Sequence, residues 1–210
     1  MPYRPLILPA TTPPRVRRLI DRIEILSFSD VHSMLRLPLH HYRVGAGCNF
    51  AIAHVLMAVI GGVSTTLYRH TGHVGERFKG VLVDYFPWDL EPTGSVPPAN
   101  ASEIIYEVFR NPITHDLGLD VKKKSAGLQV KIKRMKTSTR AGRDRGLTER
   151  QIEKLEASAS RPRASATVTV ASHKKVLFVE PLYWGVRRMI ERLAADAPRI
   201  HTAEQFLSTL

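Results

Sequence analysis

The chain of 210 residues contains a single cysteine, Cys48. That excludes an intrachain disulfide framework and a metal cluster built on several thiolates of one chain. Such sparing cysteine use fits a reducing, cytosolic setting. No glycine-rich phosphate loop and no nucleophile elbow is present, which removes two common enzyme classes. Long apolar runs are also missing. The longest, Phe50 to Val63, is too short to span a bilayer and is interrupted by His54, Gly61 and Gly62. Leu6-Ile7-Leu8 is short and flanked by prolines, unlike a signal peptide. A soluble cytoplasmic protein with no membrane association is therefore expected. Acid is scarce too: 19 Asp and Glu stand against 31 Lys and Arg, a net charge of +12. Such a field attracts polyanions, nucleic acid before membrane surfaces.

Apolar residues make up 43 % of the chain, enough for one core of ordinary size. Residues 1–14 carry five prolines and read as an extended arm. Val16, Leu19, Ile20 and Ile23 then recur at helical spacing, and a second helical piece runs from Asp30 to Leu37, ending at Pro38. After Gly45 and Gly47 a long helix is expected from Asn49 to about Tyr68. It is apolar on nearly all faces and so central, with Gly61-Gly62 either kinking it or admitting a close neighbour. A shorter helix, Val74 to Tyr85, stops at Pro87. Another, Ala101 to Phe109, takes Asn100 or Ser102 as its cap.

The second half changes character. Leu128, Val130 and Ile132 alternate with polar residues, as in a strand. A polar helix starts at Thr148, with Gln151 completing a capping box. Thr167–Val170 and Val176–Val179 read as two strands around a turn, and Leu182–Leu193 as a strong final helix. The expected architecture is mainly α: an arm (1–14), a helical bundle (15–120), and a basic extension (121–210) with a small β-element and a C-terminal helix.

One segment resembles a site: Phe109-Arg110-Asn111-Pro112-Ile113-Thr114-His115. Arg110 offers a planar fork of donors suited to a phosphate. His115 is the side chain best able to move a proton near neutral pH, and Asn111 can orient either group or a ribose hydroxyl. Together they suffice for metal-independent RNA cleavage, in which a base takes the 2′-OH proton and a cation stabilises the charge that develops. In a straight α-helix residues five apart point about 140° away from each other. Arg110 and His115 therefore need either a kink at Pro112 or a two-fold dimer that pairs one protomer's arginine with the other's histidine.

The Arg110-Asn111-x-x-x-His115 pattern, preceded by helices, resembles the signature of the HEPN superfamily of small helical bundles over about residues 15–120. The resemblance implies a HEPN-like bundle, a homodimer with paired motifs, and in many members metal-independent ribonuclease activity in toxin or phage-defence systems, some with a cognate protein partner. Other members are non-catalytic. A plainer reading makes Asn111-Pro112 a helix break and His115 a core histidine.

From Lys122 to Arg145 ten Lys and Arg face one acid, Asp144. Lys122, Lys123, Lys124, Lys131, Lys133, Arg134 and Lys136 would track a phosphate backbone without reading sequence. No aromatic lies among them, so base stacking is not indicated by the segment itself. This supports a second reading, a non-catalytic module that binds nucleic acid or a protein partner through the basic segment. His40-His41 and His70-x-x-His73 lack a carboxylate at ligand spacing, so neither a metal nor another cofactor is expected.

Overall fold

In the computed structural model, which describes residues 4–37, 48–69, 72–115, 129–133, 148, 150–151 and 166–209, the chain is mainly helical with one small sheet. The patterning predicts that class. Residues 4–13 carry no helix and pack along the bundle rather than away from it. Leu6 enters the core, and its N–H donates to the buried Glu24 carboxylate at 2.6 Å. The N–H of Ile7 donates to Glu191 at 3.1 Å, and the Arg187 guanidinium donates to the carbonyl of Arg4. The chain thereby satisfies backbone groups that a coil segment would otherwise leave to water.

The two helices expected between Arg15 and Leu37 form one continuous element. Helix α1 (Pro14–Ile23) passes through a π-helical turn (Glu24–Phe28) into α2 (Ser29–Leu35). A proline at its first position suits the start of α1, because that N–H would be unpaired anyway. The next two donors, the N–H groups of Arg15 and Val16, are taken by the Glu204 carboxylate at 3.1 and 3.0 Å. A distant acid thus caps α1 and meets the positive end of its dipole. Glu204→Ala should lower the unfolding free energy by about 1 kcal/mol, read as a shifted urea midpoint; an unchanged midpoint would remove this cap from the account.

Helix α3 (Asn49–Thr66) buries Ile52, Leu56, Ile60 and Val63 along one side and leaves Ala51, His54, Ala58 and Gly62 exposed. As a helix the apolar stretch is longer than the run suggested. By length and composition it is apolar enough to cross a membrane, with a mean hydropathy of 1.4 over 18 residues, and half of it is buried inside this fold. Gly61 and Gly62 do neither thing expected of them. The helix runs through both, and a Cβ on either would meet nothing within 4 Å. Their carbonyls instead accept the hydroxyls of Ser64, Thr65 and Thr66.

Helix α4 (Val74–Tyr85) opens on a capping box between His73 and Glu76 and ends before Pro87. Trp88 anchors the following turn: its indole N–H donates to Leu82 O at 2.7 Å, and its ring lies 4.4 Å from that of Phe86. Helix α5 (Pro98–Ile104) begins earlier than expected. Its cap is Pro97, not Asn100 or Ser102, because Pro98 presets the backbone of the first turn.

Strands β1 (Gln129–Lys133), β2 (Val168–Ala171) and β3 (Lys174–Phe178) form a sheet in the order β1-β3-β2. β1 runs parallel to β3, and β2–β3 is a hairpin whose turn holds Ser172 at φ 32°. Thr148 and Gln151 make the reciprocal bonds of the expected capping box; the body of that helix lies outside the described residues.

Helix α7 (Val179–Ala195) is longer than expected and is buried nearly all round. It packs on α3 and α4, and its apolar side chains join theirs in one core cluster. An unforeseen last helix, α8 (Ala197–Leu207), is capped by Asp196, whose carboxylate accepts the N–H of Arg199 at 3.2 Å.

Candidate functional site

Arg110 and Asn111 lie where one helical path changes its winding. From α5 the chain enters a π-helical turn (Ile105–Arg110) and then α6 (Asn111–His115). The last bond of the turn runs from the N–H of Asn111 to Tyr106 O, one residue before Pro112. In an α-helix the proline ring would press on the carbonyl four residues back and leave a donor missing. The widened turn falls just before the proline and the helix continues through it, so Asn111-Pro112 does not end the helix. A π-turn is itself a recognised source of bends, so the distortion that Pro112 demands falls just upstream of it.

The π-turn and α6 bring together a short polar chain. The Arg110 guanidinium donates from Nη1 to Asn111 Oδ1 at 2.9 Å, and Asn111 Nδ2 donates to Glu107 Oε2 at 3.1 Å. Arg110 also lies over the Tyr106 ring, 5.3 Å from its centre. That ring is fixed in turn: Phe78 packs on it at 5.3 Å, and a Cβ on Gly75 would come within 2.7 Å of its hydroxyl. Lys79 lies on the same ring at 5.7 Å and pairs with Glu103 at 2.7 Å. The Glu103 hydrogen bond raises the Lys79 pKa against a smaller opposing effect of burial. The result is a half-buried arginine bonded to Asn111 and set against a ring that a second cation, Lys79, also meets.

Sequence reasoning missed Tyr106 and Glu107. Each stands four residues before a motif residue, Tyr106 before Arg110 and Glu107 before Asn111, which is the spacing of neighbours on a helix face. The helix carries the backbone of His115 in α6. The imidazole of His115 lies outside the described side chains. So do Lys122, Lys123, Lys124, Arg134 and Lys136. Lys131 and Lys133 are on β1.

A second titratable cluster joins α3, α4 and α8. Tyr68 donates to Asp84 at 2.7 Å, Tyr85 donates to Asp196, and Arg199 lies over the Tyr68 ring at 4.8 Å. Burial first, then the bond to a carboxylate, pushes both phenols above their ordinary range. Neutral hydroxyls that donate to aspartates make a clamp between helices, not a proton acceptor. Among the described residues no group of three or more His, Cys, Asp or Glu is placed to hold a metal ion.

No family model, no curated protein and no solved structure matches this chain.

Proposed function

We propose that this is a HEPN-like protein acting on RNA, a metal-independent endoribonuclease of toxin or defence type working in the cytoplasm as a homodimer. The observation that carries the reading is the Glu107–Asn111–Arg110 chain on a π-helical turn, five residues before a histidine on the same helical path. π-turns are frequent at functional sites. An arginine held by an asparagine is pre-organised to meet a phosphate without first losing side-chain freedom.

In the reaction, His115 takes the proton of a ribose 2′-OH. The 2′ oxygen attacks the adjacent phosphorus, and the bond from phosphorus to the 5′ oxygen breaks. Arg110 stabilises the charge gathering on the phosphate oxygens, the leaving 5′ oxygen takes a proton from water, and His115 returns the 2′-OH proton to solvent. Asn111 orients Arg110 and is itself oriented by Glu107. The net charge of +12 draws the polyanionic substrate. Incubation with RNA in EDTA tests this reading: cleavage is expected, and intact RNA at high enzyme concentration would end it.

A further inference from the structure

We propose that the recess where the end of β3 meets the loop Pro92–Val96 is a stacking platform for single-stranded RNA, with Phe178 as its ring and that loop as its wall. The proposal rests on the RNA reading above and names the form of substrate that the protein takes. The basic segment has no aromatic of its own. Strand pairing supplies one from 45 residues further along the chain: the parallel register sets Lys133 beside Phe178, Lys131 beside Val176 and Gln129 beside Lys174. On the other side of β3, Thr169 lies opposite Val176. Because side chains alternate along a strand, Lys131, Lys133, Lys174, Val176, Phe178 and Thr169 share one face, on which Val176 is buried and Lys131 and Thr169 are exposed. Leu177, Val168 and Ile132 take the opposite face and pack into the core cluster, which Phe178 does not join.

Phe178 is half-buried and lines a recess of about 460 Å³ together with Thr93, Ser95 and Thr169. That volume falls within the range of small-molecule sites. The wall is fixed. Glu91 accepts the N–H and hydroxyl of Thr167 at 2.8 and 2.6 Å, which ties the loop to the start of β2. The N–H of Ser95 closes a turn on Pro92 O at 3.1 Å, and Gly94 at φ 79° supplies the left-handed residue. A ring with Lys133 beside it and Lys131 and Lys174 farther along the same face takes an unstacked base on its face and phosphates along that line, while the hydroxyls of the recess meet base edges. A duplex keeps its base faces covered and has nothing to lay on the ring.

The test measures the anisotropy of a short fluorescein-labelled oligouridylate with the full-length His115→Ala protein, so that the RNA stays whole. The single strand should bind more tightly than a duplex of equal length. Phe178→Leu should weaken it about tenfold, and Phe178→Tyr should keep it. Lys131→Gln with Lys174→Gln should flatten the slope of log affinity against log salt by about 0.7 per lysine. Because Phe178 also caps α7, Thr169→Glu is a second probe: it sits on an exposed strand position and should likewise weaken binding about tenfold. No binding, equal binding of duplex and single strand, or affinity unmoved by Phe178→Leu or Thr169→Glu would overturn the platform. Cleavage that survives those results leaves the nuclease reading standing. Phe178-dependent binding without any cleavage removes the nuclease and keeps the platform.

Discussion

Replacing His115 with alanine should slow RNA cleavage by at least about a hundredfold while leaving the affinity for single-stranded RNA unchanged. The asymmetry follows from the roles assigned above. A general base acts on the transition state and adds little to ground-state binding, so its loss appears in kcat and not in KM. Arg110→Ala should cost a comparable factor. Arg110→Lys should recover little, because an ammonium cannot keep both the fork toward phosphate and the bond that Arg110 Nη1 makes to Asn111 Oδ1 at 2.9 Å. The double variant should be hardly slower than either single one, since residues acting on one step are not additive. Single-turnover kinetics in EDTA read all four rates. Wild-type cleavage by His115→Ala would remove the histidine from the reaction.

The second large effect concerns the frame. Gly185→Ala should destabilise the protein by about 1–3 kcal/mol, although alanine is the better helix former by about 1 kcal/mol. Gly185 lies in the buried middle of α7, and a Cβ there would overlap the Phe86 ring at the end of α4. Phe86 is fully buried, and Trp88, locked by its own bond to Leu82, packs against it. The ring therefore has no room to retreat. Adding Phe86→Leu to Gly185→Ala should return part of the loss, so the two changes should couple in a double-mutant cycle. Urea unfolding measures both. An unchanged midpoint for Gly185→Ala would contradict the close helix contact.

The helices were legible where apolar residues repeat with α-helical period, as at Val16 and Ile20, or where a run is apolar on nearly all faces, as along α3, and the strands where polar and apolar residues alternate. The π-turns at Glu24–Phe28 and Ile105–Arg110 were not, because a search for one winding is blind to a local change in it. The second of these ends at Arg110, two residues before Pro112. Helix α8 escaped notice because it buries little, chiefly Ile200 and Ala203, and so carries a weak apolar stripe. The pairing of Lys133 with Phe178 was illegible for a deeper reason. Register between strands far apart in sequence is set by the core that both cover, and no local pattern records it. The motif residues Arg110 and Asn111 were visible as residues; the orienting chain through Glu107 needed the backbone.

The central claim is that this chain cuts RNA by attack of a ribose 2′ oxygen without a metal. The ends of the product decide it. With RNA in EDTA the account predicts fragments bearing a 2′,3′-cyclic phosphate and a 5′ hydroxyl, and no cutting where the attacking ribose is replaced by deoxyribose. Fragments bearing a 5′ phosphate and a 3′ hydroxyl, cleavage at the deoxyribose position, or cleavage that requires added magnesium would contradict it.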